Sequence, residues 1–188
     1  EKIDQAYISL SNTVTITAEM SNIGGRQVWL KEKEVLTVEE LLYAMVVHSA
    51  NDAAAALAIH IAGSKSGFID LMNKRAAELG MTSTHFHSVH GLPPGSKDKD
   101  QTPDVSTPRD MTILCRELLK RPAIFQYTTV RTRTFRPDVP AGKGRIDLSN
   151  PNHHLLAEFE GCDGLKTAYY TEAGFSVAAT ANRNNRRV

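Results

Sequence analysis

Residues 36–52, Leu36-Thr-Val-Glu-Glu-Leu-Leu-Tyr-Ala-Met-Val-Val-His-Ser-Ala-Asn-Asp52, open with a capping box, Thr37 at the N-cap and Glu40 at the third helical position. Leu41, Leu42, Met45 and Val46 follow at helical spacing, so a helix begins near Val38 and runs up to Ser49-Ala50-Asn51. Asp52 is then placed to cap a second, alanine-rich helix that ends around Ala62-Gly63. A polar tripeptide is thus wedged between two helices. A hydroxyl and an amide two residues apart in so tight a junction can face one cleft, Ser49 passing a proton and Asn51 donating to a substrate carbonyl. On its own, a Ser-x-Asn tripeptide most often does no more than cap a helix.

Downstream, Ser66 to Leu79 predicts a third helix with Phe68, Leu71, Met72, Ala76 and Leu79 on one face and Gly80 as its stop. Met81 to Pro108 is dense in His, Pro, Gly, Asp and Lys and reads as a long irregular segment. Ser106-Thr-Pro-Arg-Asp opens a further helix through Met111, Leu114, Cys115, Leu118 and Leu119, which Pro122 ends. Val130 to Phe135 alternates as a strand, and Asp138 to Gly144 turns. Leu165 to Thr171 and Phe175 to Ala181 form a hairpin around Ala173-Gly174, and 182–186 turn toward a partner strand. Upstream, residues 8–18 are rich in β-branched residues and read as extended, with a turn at Gly24-Gly25. Helices early and strands late predict an α+β domain. It is read as one domain over 1–188, with a helical lobe at roughly 37–125 and sheet elements at roughly 8–18 and 130–188.

The formal charge is +1 with both signs interspersed, and the only basic cluster is Arg183, Arg186 and Arg187, which excludes a nucleic-acid partner. No apolar run approaches the ~20 residues that span a bilayer. The chain opens at Glu1 without a signal segment, and both ends read as truncated, any membrane anchor lying outside them. Cys115 and Cys162 have neither metal-site nor bridge spacing. Cys115 falls on the apolar side of its helix as a buried thiol.

Lys166-Thr167-Ala168 lies on the first strand of the hairpin. An ammonium and a hydroxyl beside a small residue suit a strand edge along which an extended substrate lies, its carboxylate held by Lys166 and Thr167. Taken alone, such a tripeptide is ordinarily a solvated strand face. Together and in this order, Ser49-Ala50-Asn51 and Lys166-Thr167-Ala168 resemble the second and third motifs of penicillin-binding proteins and serine β-lactamases, whose motif set is S-x-x-K, S-D-N and K-T-G. The surroundings sharpen the likeness: Asp52-Ala-Ala-Ala-Ala-Leu-Ala, Ala77-Glu-Leu-Gly-Met, His90-Gly-Leu-Pro, Asp163-Gly-Leu-Lys-Thr and Glu172-Ala-Gly-Phe-Ser resemble the low-molecular-mass D-alanyl-D-alanine carboxypeptidases of the S11 peptidases over nearly the whole chain.

That resemblance implies an antiparallel sheet flanked by helices, with the cleft between sheet and helical lobe. It implies trimming of peptidoglycan stem peptides through a serine acyl-enzyme, binding of β-lactam antibiotics, export to the periplasm or cell envelope of a bacterium, and no cofactor. Ser49 would relay protons, and Asn51 would hold the acyl-chain amide. Lys166 with Thr167 and Ala168 would bind the terminal carboxylate, and the Tyr169 backbone N–H would serve as an oxyanion donor. Ser49 and Lys166 should then face each other across the cleft, Lys166 to Tyr169 coming from the sheet's inner strand.

The chain departs from the family in three places. The S-x-x-K motif, nucleophile and general base, is expected before Glu1, so this chain alone should not turn over. Ser96-Lys-Asp-Lys99 matches it formally but sits in a polar loop downstream of Ser49, and is rejected as a substitute. Ala168 stands where the family has Gly, which predicts reduced or altered acylation. Asn150-Pro-Asn152-His-His-Leu-Leu resembles an N-x-N-x-L-L stretch with one residue extra, and no role is assigned to it. A β-lactamase would need E-x-x-L-N, which neither Glu117 nor Glu158 begins. A zinc hydrolase built on His85, His87 and His90 lacks a convincing fourth ligand. The remaining alternative is a catalytically incomplete protein that binds peptidoglycan peptides, which true absence of S-x-x-K upstream of Glu1 would favour.

Overall fold

The computed structural model describes the chain except for Asn22, residues 95–101 and Glu172. The formal S-x-x-K match at 96–99 therefore lies outside the described residues. In chain order the elements are β1 (Thr13–Thr15), β2 (Val35–Thr37), α1 (Val38–His48), α2 (Asn51–Ala62), α3 (Lys65–Glu78) and α4 (Pro108–Leu118). A 3-10 turn (Pro122–Ile124) then leads into α5 (Phe125–Thr128), β3 (Thr132–Phe135), β4 (Ile146–Ser149), α6 (His153–Glu158), β5 (Cys162–Tyr170), β6 (Gly174–Arg183) and β7 (Arg186–Arg187).

The capping box forms as its residues require. The Thr37 hydroxyl oxygen accepts from the Glu40 backbone N–H, and the Glu40 carboxylate accepts from the Thr37 N–H at 2.7 Å. From there α1 buries Val38, Leu41, Ala44 and Val47 against Ala53 and Ala56 of α2, Val14 and Ile16 of the first hairpin, Val28, and Leu148 of β4. Small residues on α2 allow the two helices to approach closely, and these apolar side chains, withdrawn from water, form the core.

Asp52 does not act as the cap assigned to it. The α2 helix starts one residue earlier, at Asn51, with Ala50 in the N-cap position and no side-chain capping bond. Asp52 is 0% exposed, and its carboxylate accepts from the backbone N–H groups of Val28 (3.2 Å) and Leu30 (3.0 Å) as well as Ala53 (3.0 Å). A buried carboxylate persists only when so satisfied, and its place in the first turn of α2 adds the favourable interaction with the helix dipole. Its consequence is to fasten the 27–30 segment to the start of α2.

A second buried charge fixes the same segment from the other side. Arg136, 9% exposed, donates to Glu34 Oε1 (2.5 Å) and Oε2 (2.7 Å), and to the carbonyls of Val28 (2.9 Å), Gly144 (3.0 Å) and Trp29 (3.3 Å), using all its N–H groups. Burial pushes the Glu34 carboxyl up, but the Arg136 hydrogen bonds outweigh it and hold the pKa below the usual value.

Elsewhere the outcome departs from the sequence reading in detail. Of residues 8–18 only Thr13–Thr15 form a strand, paired antiparallel with Val35–Thr37. The α3 helix starts at Lys65, with the Ser64 hydroxyl accepting from the Gly67 N–H; of its apolar face Ala76 is buried, Leu71 exposed, and Phe68, Met72 and Leu79 half-buried. The described residues between α3 and α4 form no helix but are pinned down. His85 pairs with Val105, the Asn73 amide brackets Phe86 with two bonds of 2.8 Å, and the Asp110 carboxylate accepts from the Ser83 N–H (2.8 Å) and the Thr84 hydroxyl (2.7 Å). The hairpin is longer than expected, β5 and β6 pairing from Cys162↔Ala181 to Tyr170↔Gly174. Asn184 and Asn185, both at positive φ, make the turn after it, and β7 begins the partner strand. The sheet order is β5-β6-β7, so β5 is an edge rather than an inner strand among the described residues, and it contacts α5 and α6. Both cysteines are free, and Cys115 is half-buried rather than buried, burial pushing its thiol pKa up. No helix among the described residues is long and apolar enough to cross a membrane.

Candidate active site

The α1 helix ends on Ser49, which takes the left-handed conformation (φ 59°, ψ 36°), its backbone N–H donating to the Ala44 carbonyl. For a non-glycine residue this costs on the order of 1 kcal/mol, a cost the junction sustains because α2 starts immediately afterward. The bend leaves Ser49 and Asn51 on either side of one turn between the packed helices.

A loop closes over Asn51. The Asn51 backbone N–H donates to the Arg26 carbonyl (2.8 Å), and its side-chain amide donates to the Gly24 carbonyl (3.0 Å). Gly25 between them has φ +60°, and a Cβ there would stand 2.6 Å from Asn51 Nδ2 and 2.9 Å from a Leu92 methyl. Glycine is required both by backbone conformation and by space. One amide hydrogen of Asn51 is thus committed to the loop, and the other hydrogen and Oδ1 are the groups it can offer a ligand.

The β5 strand brings Lys166 from the sheet side. Its position is set by Thr128 at the end of α5, whose hydroxyl donates to the Asp163 carbonyl (2.6 Å). Gly164 lies so close to Thr128 that an added Cβ would meet it at 2.8 Å. From this anchored start Lys166 Nζ donates to Ser49 Oγ and to the Thr167 carbonyl, the latter at 2.8 Å. Burial, reinforced by the nearby positive charge of Arg26, pulls the Lys166 pKa down to about 8. Thr167 Oγ1 is buried without a partner among the described residues. Strand alternation puts the Ala168 methyl on the same face of β5 as the Lys166 side chain, the face that reaches Ser49. Tyr169 is 60% exposed, its ring 4.4 Å from that of Phe175 on β6.

The structure therefore brings Lys166 to Ser49, two residues from Asn51, with Thr167 next in the strand. It adds Arg26, whose carbonyl holds the Asn51 N–H, and His48, neither singled out from sequence, and Asp52, which was read there only as a helix cap. His48 Nδ1 accepts from the Ser149 N–H (3.3 Å), tying β4 to the residue before Ser49. Burial, then the charge of Arg26, lower the His48 pKa. A histidine next to the Ser-x-Asn tripeptide was the available signal. Nothing local marks Arg26.

In the 150–156 stretch, the Asn150 side chain donates to the Thr128 (3.2 Å) and Val130 (2.9 Å) carbonyls and accepts from the Asn152 N–H (2.9 Å). Asn152 is 2% exposed with neither side-chain amide atom partnered among the described residues. Among the same residues no three His, Cys, Asp or Glu side chains converge to hold a metal ion. The Asp104 carboxylate accepts instead from the backbone N–H groups of His87 (2.6 Å) and Ser88 (2.8 Å), and His90 Nδ1 accepts from the Leu92 N–H (3.1 Å).

The chain is similar to known proteins over its whole length. The D-alanyl-D-alanine carboxypeptidase DacF of Bacillus subtilis is 33% identical over 187 residues, which cover 100% of this chain and 45% of that protein. DacC of Escherichia coli, also a D-alanyl-D-alanine carboxypeptidase, is 31% identical over 96% of this chain and 43% of its own length. Among solved structures, penicillin binding protein 6B from Escherichia coli superposes with a TM-score of 0.84 at 30% identity, covering 99% of this chain and 56% of that one. The D-alanyl-D-alanine carboxypeptidase DacD from Francisella tularensis shares the fold at a TM-score of 0.85 and 24% identity. The chain spans a little under half the length of the curated relatives it matches. Its architecture is the α+β fold of the penicillin-binding proteins. A model of the S11 peptidases, described as D-alanyl-D-alanine carboxypeptidase, matches residues 1–188, and the chain belongs to that family.

Proposed function

We propose that the complete protein containing this chain is a serine D-alanyl-D-alanine carboxypeptidase that trims peptidoglycan stem peptides in the bacterial cell envelope and is acylated by β-lactams. The observation that carries this reading is the hydrogen bond between Lys166 and Ser49, side chains 117 positions apart that come from sheet and helical lobe. Paired across a cleft, an ammonium and a hydroxyl can hold the substrate's terminal carboxylate and pass a proton to the departing amine. Asn51 holds the acyl-chain amide, Thr167 Oγ1 supplies a donor to the carboxylate, and the Tyr169 backbone N–H contributes to the oxyanion site. Nucleophile and general base would come from an S-x-x-K segment other than the formal match at 96–99.

The experiment is covalent labelling of the complete protein by a fluorescent penicillin, together with D-alanine release from a D-Ala-D-Ala peptide. Stoichiometric label with turnover is expected, and both are expected to continue when a metal chelator is added. Absence of label would refute the acyl-enzyme and favour a protein that only binds peptides. Label abolished by chelator would point to a metal instead.

Ala168 supplies a further expected result. Its methyl shares the face on which an extended substrate would lie, so restoring glycine relieves crowding at that edge. Ala168→Gly is expected to raise the penicillin acylation rate by roughly threefold, about 0.6 kcal/mol of barrier. A lower rate in that variant, measured by stopped-flow, would show that the alanine is an adaptation rather than a hindrance.

A further inference from the structure

The His90-Gly-Leu-Pro run has no place in the roles described above, although the loop that carries it is firmly built. The Asp104 carboxylate accepts from the backbone N–H groups of His87 and Ser88 and from the Ser88 hydroxyl (2.8 Å). The oxygen of that hydroxyl accepts in turn from the Gly91 N–H (2.7 Å), and Gly91 takes φ +77°, where glycine meets no Cβ penalty. His90 Nδ1 then accepts from the Leu92 N–H (3.1 Å), and the turn closes on Leu92.

The Leu92 side chain arrives beside Asn51. The point where a Gly25 Cβ would stand lies 2.6 Å from Asn51 Nδ2, and 2.9 and 3.4 Å from the two Leu92 methyls. The Asn51 amide and the Leu92 methyls therefore share the space that Gly25, lacking a side chain, leaves open. On either side of Gly25 the loop is bonded to Asn51, through the Gly24 and Arg26 carbonyls. Leu92, half-buried, is the apolar group that packs into this junction. An asparagine amide turns over a broad, roughly two-fold torsion, and water competes for its hydrogen bonds wherever it gains entry. A methyl group packed at this point excludes that water and restricts the turning.

We propose that Leu92 is a positioning residue for Asn51. Leu92 touches no reacting atom itself. It keeps the committed amide hydrogen of Asn51 on Gly24, so that the second hydrogen and Oδ1 meet the ligand's acyl-chain amide in one orientation. This rests on the acyl-enzyme reading given above and on the role assigned there to Asn51. The contribution of Leu92 is accordingly confined to ligands that carry an amide on the acyl side.

The test compares benzylpenicillin with penicillanic acid, which has the same fused nucleus and carboxylate but no acylamino group. Acylation rate constants of the complete protein are measured for both, penicillanic acid by competition with a fluorescent penicillin. In Leu92→Ala the benzylpenicillin constant is expected to fall roughly tenfold, the scale of a lost orientation, while that of penicillanic acid stays within twofold of the parent. Leu92→Met, of similar volume, is expected to keep both constants. In an Asn51→Ala background, Leu92→Ala is expected to change the benzylpenicillin constant less than twofold, because the amide it positions is gone. Should the alanine variant not fold, Leu92→Val carries the same comparison, with an expected fall of roughly threefold. Equal losses for the two compounds overturn the positioning role and leave the acyl-enzyme intact. So does a benzylpenicillin constant within twofold of the parent in Leu92→Ala, or a full tenfold loss on top of Asn51→Ala. Acylation of the parent by neither compound overturns the acyl-enzyme reading and the positioning role with it.

Discussion

Replacing Lys166 by alanine in the complete protein is expected to slow penicillin acylation by about 100-fold or more. The variant removes a charge-assisted bond to the ligand carboxylate and the ammonium that donates to Ser49, and each such loss in a dry site costs one to several powers of ten. The same lysine gives the reaction its alkaline limb. With its pKa pulled down to about 8, the ammonium is present below that pH and disappears above it. The parent's acylation rate by a carboxylate-bearing penicillin therefore falls as pH rises through about 8. Stability moves the other way. A lysine whose pKa drops from 10.5 to about 8 on folding costs stability below about 8, and this cost fades as pH rises toward 10.5. Arginine at this position keeps its charge throughout, so Lys166→Arg should lose the limb while remaining slow, because the guanidinium does not reproduce a compact point donor. Lys166→Ala acylating within fivefold of the parent by stopped-flow would remove Lys166 from the mechanism.

Arg136→Leu should destabilise the complete protein by about 3 kcal/mol, because it strands the half of a buried ion pair that remains. The stranded groups are the Glu34 carboxylate and the carbonyls of Val28, Trp29 and Gly144, all of which accept from that one guanidinium. In a domain of this size the loss corresponds to a fall in melting temperature of roughly 10 °C. Arg136→Leu combined with Glu34→Leu should recover much of the difference, since the buried charge is then removed rather than exposed to an apolar neighbour. The measurement is thermal unfolding of the single and double variants. A single variant melting within 2 °C of the parent would mean that water reaches Glu34 freely.

What sequence could and could not show divides along the range of the interactions. Thr37 and Glu40 lie three residues apart, so the start of α1 could be read directly. The Leu165–Ala181 hairpin announced itself through alternation and Ala173-Gly174. The two tripeptides of the site were legible as a resemblance, and the fold places them together. Asp52 was misassigned because its nearest apparent task, capping α2, hid its bonds to Val28 and Leu30 more than 20 positions upstream. Arg136 and Glu34, 102 positions apart, had no local mark at all. The short elements β2, β4 and α6 were missed since three to six residues carry too little periodicity to be distinguished from loop.

The Asp52 tether has a consequence for how this site can change. Because the 27–30 segment is bolted to the first turn of α2, the loop at 24–26 cannot be lengthened or shifted without unseating Asn51. Inheritance is therefore offered side chains but not loop geometry as raw material on this flank. New preferences in the lineage should arise by exchanging side chains there, one codon at a time, on a scaffold that stays in register.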